Sequence, residues 1–451
     1  MKTTLFTTAA IVALGTGIAQ AQLVIEPGSD DRINWASLEE FAAAHPDLEG
    51  ESFNILGPWL GGDQELFLSV LAYFNEVTGA GAQYSGSDSF EQQIVIDSEA
   101  GSPPDVAVFP QPGLAADLAA KGFLKPLGEE TAQWLRNTYA AGESWAELGT
   151  YEGPEGEEHL YAFPYKADVK SLVWYVPENF EDAGYEIPET YEDLKALTEQ
   201  IAEEGETPWC IGLGSGGATG WPATDWVEDL MLRTATPEQY DQWVANEMPF
   251  NDPVVVNAIE EFGWFAKNSD FVAGGTGAVT STDFRESPAG LFEFPPSCYM
   301  HRQASFIPTF FPEETVVGED ADFFYMPAPA SGDLGQPVLG GGTMFAALSD
   351  NPAAMAFIDF LKTPAAHEIW MAQQGFLTPH TGANPEAYVD ETVRRMGQIL
   401  LDATVFRFDA SDLMPGAIGA GAFWTGMIDF VGGSSAQEVA DQIQQTWASL
   451  K

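Results

Sequence analysis

DVAVFPQPGLAADLAAKGFLKPL, residues 105–127, places a short apolar segment, a proline-flanked loop and an alanine-rich segment in direct succession. The first five residues predict a buried strand, and LAADLAAKG (114–122) predicts a helix. A buried strand followed closely by a helix is the repeating unit of layers in which helices cover a parallel sheet. This stretch therefore predicts an α/β fold with largely parallel sheets.

The same alternation recurs along the chain. SFNIL (52–56) predicts a strand, and the next segment (63–79) predicts a helix capped by Asp63. SLVWYV (171–176) predicts another strand, before a helix with a Thr190–Asp193 capping box. Further predicted strands are GLFEF (290–294), DFFYM (322–326) and MFAAL (344–348), and further predicted helices are a broken pair in 351–375 and a final one in 437–450. Because 451 residues exceed one ordinary hydrophobic core, we expect two lobes.

The N-terminus has the pattern of an export signal. Lys2 precedes an apolar run (5–19), and Ala19-Gln20-Ala21 is a small-residue cleavage pattern. The alternative, a first helix or a membrane anchor, is disfavoured because the run is too short to span a bilayer. We therefore predict a signal peptide over residues 1–21, cleaved near Ala21, and export of the mature chain.

The charge is strongly negative, with 17 Lys and Arg against 68 Asp and Glu and a formal net charge of −51. Such a surface repels nucleic acid and anionic lipid, so we expect neither as a partner. The acids are spread along the chain, which indicates a solvated surface suited to a saline habitat. On that hypothesis, thermal stability should rise between dilute buffer and molar salt.

The chain has two cysteines, Cys210 and Cys298. In an exported protein an even pair most simply forms one disulfide, the alternative being two buried free thiols. The disulfide would bring PWCIG (208–212) and PPSCYM (295–300) together in one lobe.

Motifs of catalysis and cofactor binding are nearly absent. The histidines show no metal-ligand spacing, and we predict no metal, cofactor or catalytic residue. GLGSGG (212–217) contains GxGxxG, but no prompt helix and no acid about twenty residues later complete a nucleotide site. We interpret it as a loop whose glycines let the backbone approach a ligand or another segment.

Tryptophans beside polar groups are more informative, above all in GWPATDWVEDL (220–230), which we interpret as a loop. A flat ring matches the C–H face of a sugar, and carboxylates bond its hydroxyls. In α/β sheets such ligands bind beyond the carboxyl ends of strands. The candidate residues are Trp59, Phe109, Gln111, Trp221, Asp225, Trp226 and Trp424. A core position competes with the binding role for Trp59 and Trp226, and we assign Trp134, Trp145, Trp264, Trp370 and Trp447 to the core.

With these segments the chain resembles the extracellular solute-binding proteins of bacterial sugar ABC importers, and most of all their alpha-glucoside-binding branch. The resemblance spans five blocks in order, at residues 101–127, 159–194, 338–350, 353–370 and 414–447. Three features depart from the family pattern: Val176 stands where Asn is usual, Gly342 stands where relatives often carry a stacking Trp, and PPSCYM lacks another. Trp221 and Trp226 are the proposed replacements.

The resemblance implies a two-lobed periplasmic-binding-protein fold (type II-like) with hinge crossovers between lobes. It assigns residues 22–125 plus 327–385 to the N-terminal lobe and 126–326 plus 386–451 to the C-terminal lobe, with crossovers near 124–127, 326–329 and 385. By position, the implied ligand contacts are Asp88, Phe109, Gln111, Asp168 and Trp424, together with Gly341 and Thr343 of the glycine-rich strand.

The resulting functional prediction is a monomeric periplasmic protein that catalyses nothing. It would capture an alpha-glucoside such as trehalose, sucrose or maltose and deliver it to a membrane permease. One alternative is a secreted carbohydrate-active hydrolase, for which Asp168 and Asp225 could be the two carboxylates. Another is a binding protein for a polyol or osmolyte, with an aromatic cage if that solute is a cation.

Overall fold

The computed structural model describes residues 23–140, 142–402 and 405–450. The predicted signal peptide and its cleavage near Ala21 lie outside the described residues. Within these ranges no helix has the length and apolarity that crossing a membrane requires.

The described residues alternate between strands and helices, as the sequence predicts. The strands are β1 (Ser52–Gly57), β2 (Gly81–Gly86), β3 (Val106–Phe109), β4 (Thr150–Glu152), β5 (Glu158–Leu160), β6 (Ala162–Val169), β7 (Leu172–Tyr175), β8 (His301–Arg302), β9 (Asp322–Tyr325), β10 (Pro337–Ala347) and β11 (Val405–Phe408).

The helices that flank these strands are α1 (Trp35–Ala44), α2 (Gly62–Thr78), α3 (Phe90–Glu99), α4 (Pro112–Ala120), α5 (Glu129–Thr138), α6 (Gly142–Leu148), α7 (Pro177–Ala183), α8 (Tyr191–Glu203), α9 (Trp221–Thr234), α10 (Pro237–Val244), α11 (Pro253–Ala266), α12 (Thr276–Val279), α13 (Pro352–Phe360), α14 (Pro364–Met371), α15 (Glu391–Asp402), α16 (Ala410–Leu413), α17 (Trp424–Val431) and α18 (Ala436–Ser449). Short 3₁₀ turns lie at Gly216–Ala218, Ser287–Phe292, Ile307–Phe310 and Pro385–Ala387, and a π-helical segment at Ala417–Phe423.

The first sheet has the order β11-β10-β3-β1-β2, with β6 along β10. β1 pairs in parallel with β2 and β3, and β3 and α4 lie where residues 105–127 predict a strand followed by a helix. The second sheet, β8-β7-β9, is antiparallel throughout, so the expectation of largely parallel sheets is wrong there. The first sheet is mixed: β1–β2, β1–β3 and β10–β11 are parallel, whereas β10 is antiparallel to β3 and β6. The expectation of parallel pairing therefore holds only for part of the first sheet.

Two lobes surround these sheets. The first lobe is built on β1–β3 with α1–α4, α13 and α14, and its apolar core is dominated by rings from α2 and α13. The second lobe is built on β7–β9 with α8–α11, α17 and α18, which contact one another around a second apolar core. The exact lobe boundaries given by the sequence remain a prediction.

One long antiparallel ribbon, β6 with β10, runs between the lobes. Residues 340–346 of β10 pair with residues 162–169 of β6. On its other edge β10 pairs first with β11, through residues 337–340, and then with β3, through residues 344–347. The two strands therefore belong to a single hydrogen-bonded sheet that extends from one lobe towards the other.

The predicted disulfide is present, with Cys210 and Cys298 bonded and their Cα atoms 5.5 Å apart. The Cys210 amide donates to the Met300 carbonyl at 2.8 Å, and the Met300 amide donates to the Pro208 carbonyl at 2.8 Å. PWCIG and PPSCYM are neighbours, as predicted.

The predicted strand GLFEF is wrong: residues 287–292 form a 3₁₀ turn. Pro288 starts that turn, and Pro295 and Pro296 follow it, so three positions lack the amide that a sheet ladder needs. Gly290 lies against the disulfide, since a Cβ there would be 2.5 Å from Cys298 Sγ. This segment is therefore held by packing against the sulfur of Cys298 and not by pairing in a sheet.

The capping prediction for α2 is also wrong. Gly61 is the N-cap, and Asp63 lies within the first turn, buried. The Thr190–Asp193 capping box is confirmed, with reciprocal bonds at both positions. Helices α13, α14 and α18 lie where the broken pair and the final helix were predicted.

Candidate functional site

A cleft between the lobes encloses about 910 Å³ of space open to solvent. Residues of both lobes and of the connecting ribbon line it. The predicted site residues among them are Trp59, Asp88, Gln111, Asp168, Trp221, Asp225, Thr343 and Trp424. Residues that the sequence did not single out include Asp63, Glu91, Lys166, Lys170, Phe284, Arg285, Phe306, Phe310, Asp409, Ser411 and Asp412.

The stretch GWPATDWVEDL begins a helix, which corrects its interpretation as a loop. α9 starts at Trp221, with Pro222 in its first turn. Gly220 makes the sharp entry with φ of 116° and lies against the backbone of Trp424, where a Cβ would be 2.8 Å from the Trp424 carbonyl carbon. Only glycine permits this approach, and it brings the two predicted tryptophans to one cleft.

The helical geometry explains why the two tryptophans of this stretch differ. Asp225 follows Trp221 by four residues and therefore lies on the same face. Trp226 lies on another face, packed at 5.2 Å from Trp209 and 5.1 Å from Phe265 between ring centroids. It is a core residue of the second lobe, so its assignment as a ligand contact is wrong.

Phe109 is likewise a core residue. Its side chain is fully buried and packs edge-on against Phe90 with ring centroids 5.3 Å apart. The last residue of β3 points into the layer between sheet and helix, whereas Gln111, two residues later, lines the cleft. The assignment of Phe109 as a ligand contact is therefore wrong.

Three tryptophans border the cleft in different ways. Trp221 is partly buried and packs edge-on against Phe284 at 4.8 Å between ring centroids. Trp424 is 2% exposed, and its Nε1 has no hydrogen-bond partner in the described structure. Trp59 contacts the cleft but belongs mainly to the first lobe's aromatic core, 5.0 Å from Phe67 and 5.3 Å from Trp370.

The glycine-rich strand β10 passes under the cleft. Gly342 and Thr343 line it, and Thr343 Oγ1 has no hydrogen-bond partner in the described structure. Gly341 does not line the cleft: a Cβ there would meet Lys170 Cε at 2.9 Å. The predicted contact at Gly341 is thus a packing position beneath a lysine, which the absence of a side chain makes possible.

A buried ion network forms one wall. Lys170 Nζ donates to Asp225 Oδ1 at 2.9 Å and also bonds Asp409. Arg302 approaches Asp225 Oδ2 at 3.8 Å. Ser411 bridges the acids, donating its amide to Glu228 Oε1 at 2.9 Å. These groups come from the residue after β6, from α9, from β8 and from the segment after β11, so the network joins distant parts of the chain.

The network sets the protonation of its acids. Burial raises the pKa of Asp225 to about 7, although the charge of Lys170 opposes the rise. Burial also raises the pKa of Asp409, but Lys170 and neighbouring hydrogen bonds outweigh it and lower that pKa to about 2. Burial lowers the Lys170 pKa, and the surrounding acids more than reverse this, so that the lysine stays charged. Lys170 therefore remains a fixed positive charge in the wall.

A second ion pair is formed by Lys166 and Asp168, with Nζ and Oδ1 3.3 Å apart. Lys166 also lies over the rings of Phe306 and Trp370, at 5.0 and 5.7 Å from their centroids. Asp168 accepts a further hydrogen bond from Ser305 at 3.4 Å. Cation, rings and carboxylate hold one another in place on the ribbon side of the cleft.

The first lobe contributes carboxyl groups without a cationic partner in direct contact. Gln111 Nε2 donates to Glu91 Oε1 at 3.1 Å. Glu91 Oε2, Gln111 Oε1 and Asp63 Oδ1 are buried and lack hydrogen-bond partners among the described residues. Burial raises the pKa of Glu91 to about 7 and that of Asp63 to about 6. Buried acceptors of this kind are costly unless a partner arrives to satisfy them.

One group of acids has oxygens close enough for a cation. Asp225, Glu228 and Asp409 each offer an oxygen within 4.8 Å of the others, in the described part of the chain. The ammonium of Lys170 already bonds two of the three residues. The charge of this cluster is therefore balanced by a side chain of the protein, and we assign it to the ion network.

Comparison with known proteins identifies the family. The family model for bacterial extracellular solute-binding proteins matches residues 67–368, more than half of the chain. The chain is a bacterial extracellular solute-binding protein.

Two relatives match most or all of this solute-binding protein. It is 64% identical to the alpha-glucosides-binding periplasmic protein AglE of Rhizobium meliloti (strain 1021), over 100% of both chains. It is 42% identical to the osmoprotective compounds-binding protein GgtB of Synechocystis sp., over 89% of this chain and 93% of the relative. Among solved structures, maltose-bound T. maritima MalE3 superposes with a TM-score of 0.69 at 15% identity, covering 89% of this chain and 100% of that one.

The charged groups of the cleft are what sequence reasoning missed in this solute-binding protein. Lys166 and Lys170 alternate with Asp168 in YKADVK, a pattern typical of a solvated strand. Their partners lie up to 239 positions away in the sequence. The only local signal was the low number of basic residues, which makes each lysine inside a strand unusual.

Proposed function

We propose that this solute-binding protein captures an alpha-glucoside between its lobes in the periplasm and delivers it to a membrane ABC permease without chemical change. The observation that carries the proposal is the pairing, in one cleft, of aromatic faces with buried unpartnered polar atoms. Trp221 and Trp424 offer the faces, and Glu91, Gln111 and Asp63 offer acceptors. A glycoside has C–H faces for the rings and hydroxyl donors for the acceptors.

The 64% identical relative named for alpha-glucosides supports this solute class. Within the proposed site, Trp59, Asp88, Asp168, Asp225, Thr343 and Trp424 surround the ligand with Trp221 and the first-lobe acceptors. Trehalose, sucrose and maltose are the solutes to test first. We propose that the protein acts as a monomer, with the permease as its macromolecular partner and no nucleic acid.

A second candidate ligand is a neutral osmolyte. The 42% identical relative named for osmoprotective compounds favours it. A quaternary ammonium solute is disfavoured, because Lys170 Nζ lies 5.5 Å from the Trp221 ring centroid and holds the position that such a cation would take. Polyols and glycosylated polyols remain compatible with the same rings and acceptors.

Hydrolysis is disfavoured by the pairing of the two acids that would perform it. Asp168 is bonded to Lys166 and Asp225 to Lys170. A glycosidase needs one carboxyl group free to protonate the leaving oxygen and another free to act on the opposite face. Carboxylates held by lysines are suited to accepting hydroxyl hydrogen bonds.

The test is a ligand screen on the mature protein. Thermal shift and calorimetry compare trehalose, sucrose and maltose with glycerol, a glycosylated glycerol and glycine betaine. We expect a disaccharide to raise the melting temperature most, and chromatography after prolonged incubation to recover it intact. Stabilisation by glycine betaine alone, or release of monosaccharide, would contradict the proposal.

A further inference from the structure

The glycine motif GLGSGG, residues 212–217, lies at the rim of the cleft and touches the opposite lobe. The Gly217 amide donates to the Asp88 carbonyl at 2.9 Å. Gln92 Nε2 returns a hydrogen bond to the Gly217 carbonyl at 3.4 Å. In the first lobe, Asp88 lies just before α3 and Gln92 in its first turn; in the second lobe, Gly217 lies in the 3₁₀ turn that precedes α9.

The contact is close enough to require glycine on one side. A Cβ at Gly216 would lie 2.6 Å from Asp88 Cγ, and one at Gly217 would lie 2.8 Å from Ser89 Oγ and 2.9 Å from Gln92 Oε1. Gly216 also has a φ of 55°, which favours glycine by itself. The backbone conformation of Gly217 does not require glycine. The space that a side chain would take at this position is occupied by residues of the first lobe.

The position of this contact relates it to the ligand cleft. Asp88, Ser215 and Ala218 line the cleft, while Gly216 and Gly217 are exposed to solvent. The contact therefore lies where the cleft meets the surface. Two lobes that separate to admit a ligand must break it, and they remake it on closing.

We propose that Gly216, Gly217, Asp88 and Gln92 form a closure latch that determines how long the ligand stays bound. This inference rests on the proposed capture of a solute between moving lobes. The latch does not select among ligands, because its hydrogen bonds join one lobe of the protein to the other. It acts on the release step, because breaking it is part of opening.

The test measures release of the tightest-binding disaccharide among trehalose, sucrose and maltose by stopped-flow tryptophan fluorescence. Gly217→Ala places a methyl group between the lobes, and we expect dissociation to be about tenfold faster or more, with association changed less than about twofold. Gln92→Ala removes one exposed hydrogen bond and should speed dissociation about threefold.

Each variant has a matched control. Gln93→Ala changes the adjacent exposed glutamine of α3, and Gly277→Ala adds a methyl group at an exposed glycine with nothing within 4 Å. Neither should alter dissociation. Unchanged dissociation in Gly217→Ala, or equal acceleration in the controls, would overturn the latch.

Hydrogen exchange separates this inference from the proposed function. If none of the three disaccharides binds the unsubstituted protein, the proposed function fails, and exchange of the Gly217 amide still reports the latch. Faster exchange in Gln92→Ala than in Gln93→Ala, without added sugar, would support it. Equal exchange in the two variants would refute it.

Discussion

Lys170 and Asp225 form a buried ion pair, with Nζ 2.9 Å from Oδ1, although 55 positions separate them in the sequence. The lysine follows β6 at the end of the connecting ribbon, and the aspartate lies on α9 of the second lobe. The pair therefore fixes the face of α9 that carries Trp221 against the ribbon. A site for a neutral solute here depends on charges that the protein balances internally.

Removing this ammonium should be severely destabilising. Lys170→Met leaves Asp225 and Asp409 buried without their cation, and we expect a loss of about 3–5 kcal/mol in the free energy of unfolding. Urea denaturation followed by circular dichroism measures it. Lys121→Met breaks the exposed pair with Glu99, at 3.2 Å, and should cost less than about 1 kcal/mol. Equal losses in the two variants would show that the Lys170 network is not stabilising.

The two cleft tryptophans should matter for binding more than for folding. Trp221→Ala and Trp424→Ala are each expected to weaken disaccharide binding by about 1–3 kcal/mol, because each removes an aromatic face. Trp264→Ala, which removes a partly buried ring of the second lobe outside the cleft lining, is the control. Calorimetry that gave unchanged affinity in both cleft variants would refute the site assignment.

Sugar affinity should rise as the pH increases through the range in which Glu91 and Asp63 ionise. Their pKa values are about 7 and about 6 because burial disfavours the charged forms. Sugar hydroxyls donate more strongly to a carboxylate than to a carboxylic acid, so binding favours ionisation and releases protons. We expect tighter binding at pH 8 than at pH 5.5, measured by calorimetry in buffers of different ionisation enthalpy.

Glu91→Gln provides the control for this pH effect. It keeps the side-chain shape without the titration, so the affinity of this variant should depend less on pH than that of the unsubstituted protein. The free energy of unfolding should depend on pH in the opposite direction. Because burial raises the pKa of Glu91, its contribution to stability is present at low pH and is lost as the pH rises towards about 7. An affinity that fell with rising pH would contradict the assignment of these groups as acceptors.

Loss of the disulfide should lower the free energy of unfolding, because the unfolded chain gains conformational entropy. Cys210 and Cys298 are 88 positions apart, and closing a loop of that length is worth up to about 4–5 kcal/mol. The double variant Cys210→Ala with Cys298→Ala should unfold at lower urea concentration by a corresponding amount. Adding reductant to the unsubstituted protein should bring its transition towards that of the variant, and should leave the variant itself unchanged.

The sequence predicts the strand–helix succession of the first lobe because the signals for it are local. Residues 105–109 and 114–122 specify a strand and a helix by their own pattern, and β3 and α4 lie there. Trp221 and Trp424 were recognisable from their polar and glycine-rich surroundings, and they border one cleft. The disulfide followed from the number of cysteines and the export signal.

The errors have a common physical source, the direction of a side chain. Interpreting the stretch as a loop places Trp226 beside Trp221 in the site, whereas the helix puts the two rings on different faces. Phe109 ends a strand at the expected edge of the sheet. Because side chains alternate between the two faces of a strand, its ring points into the layer between sheet and helix. Lys170 was missed because its partners, Asp225 and Asp409, come together only in the tertiary structure.

The ribbon of β6 and β10 prevents the two lobes from being produced separately. β10 pairs along one edge with β6 and along the other with β11 and β3. Removing either lobe would therefore leave buried backbone groups without hydrogen-bond partners. Neither half should therefore be obtainable as an independent fragment. For reporter design, a fluorescent insertion is better tolerated at an exposed turn such as Gly332 than anywhere within this two-stranded unit.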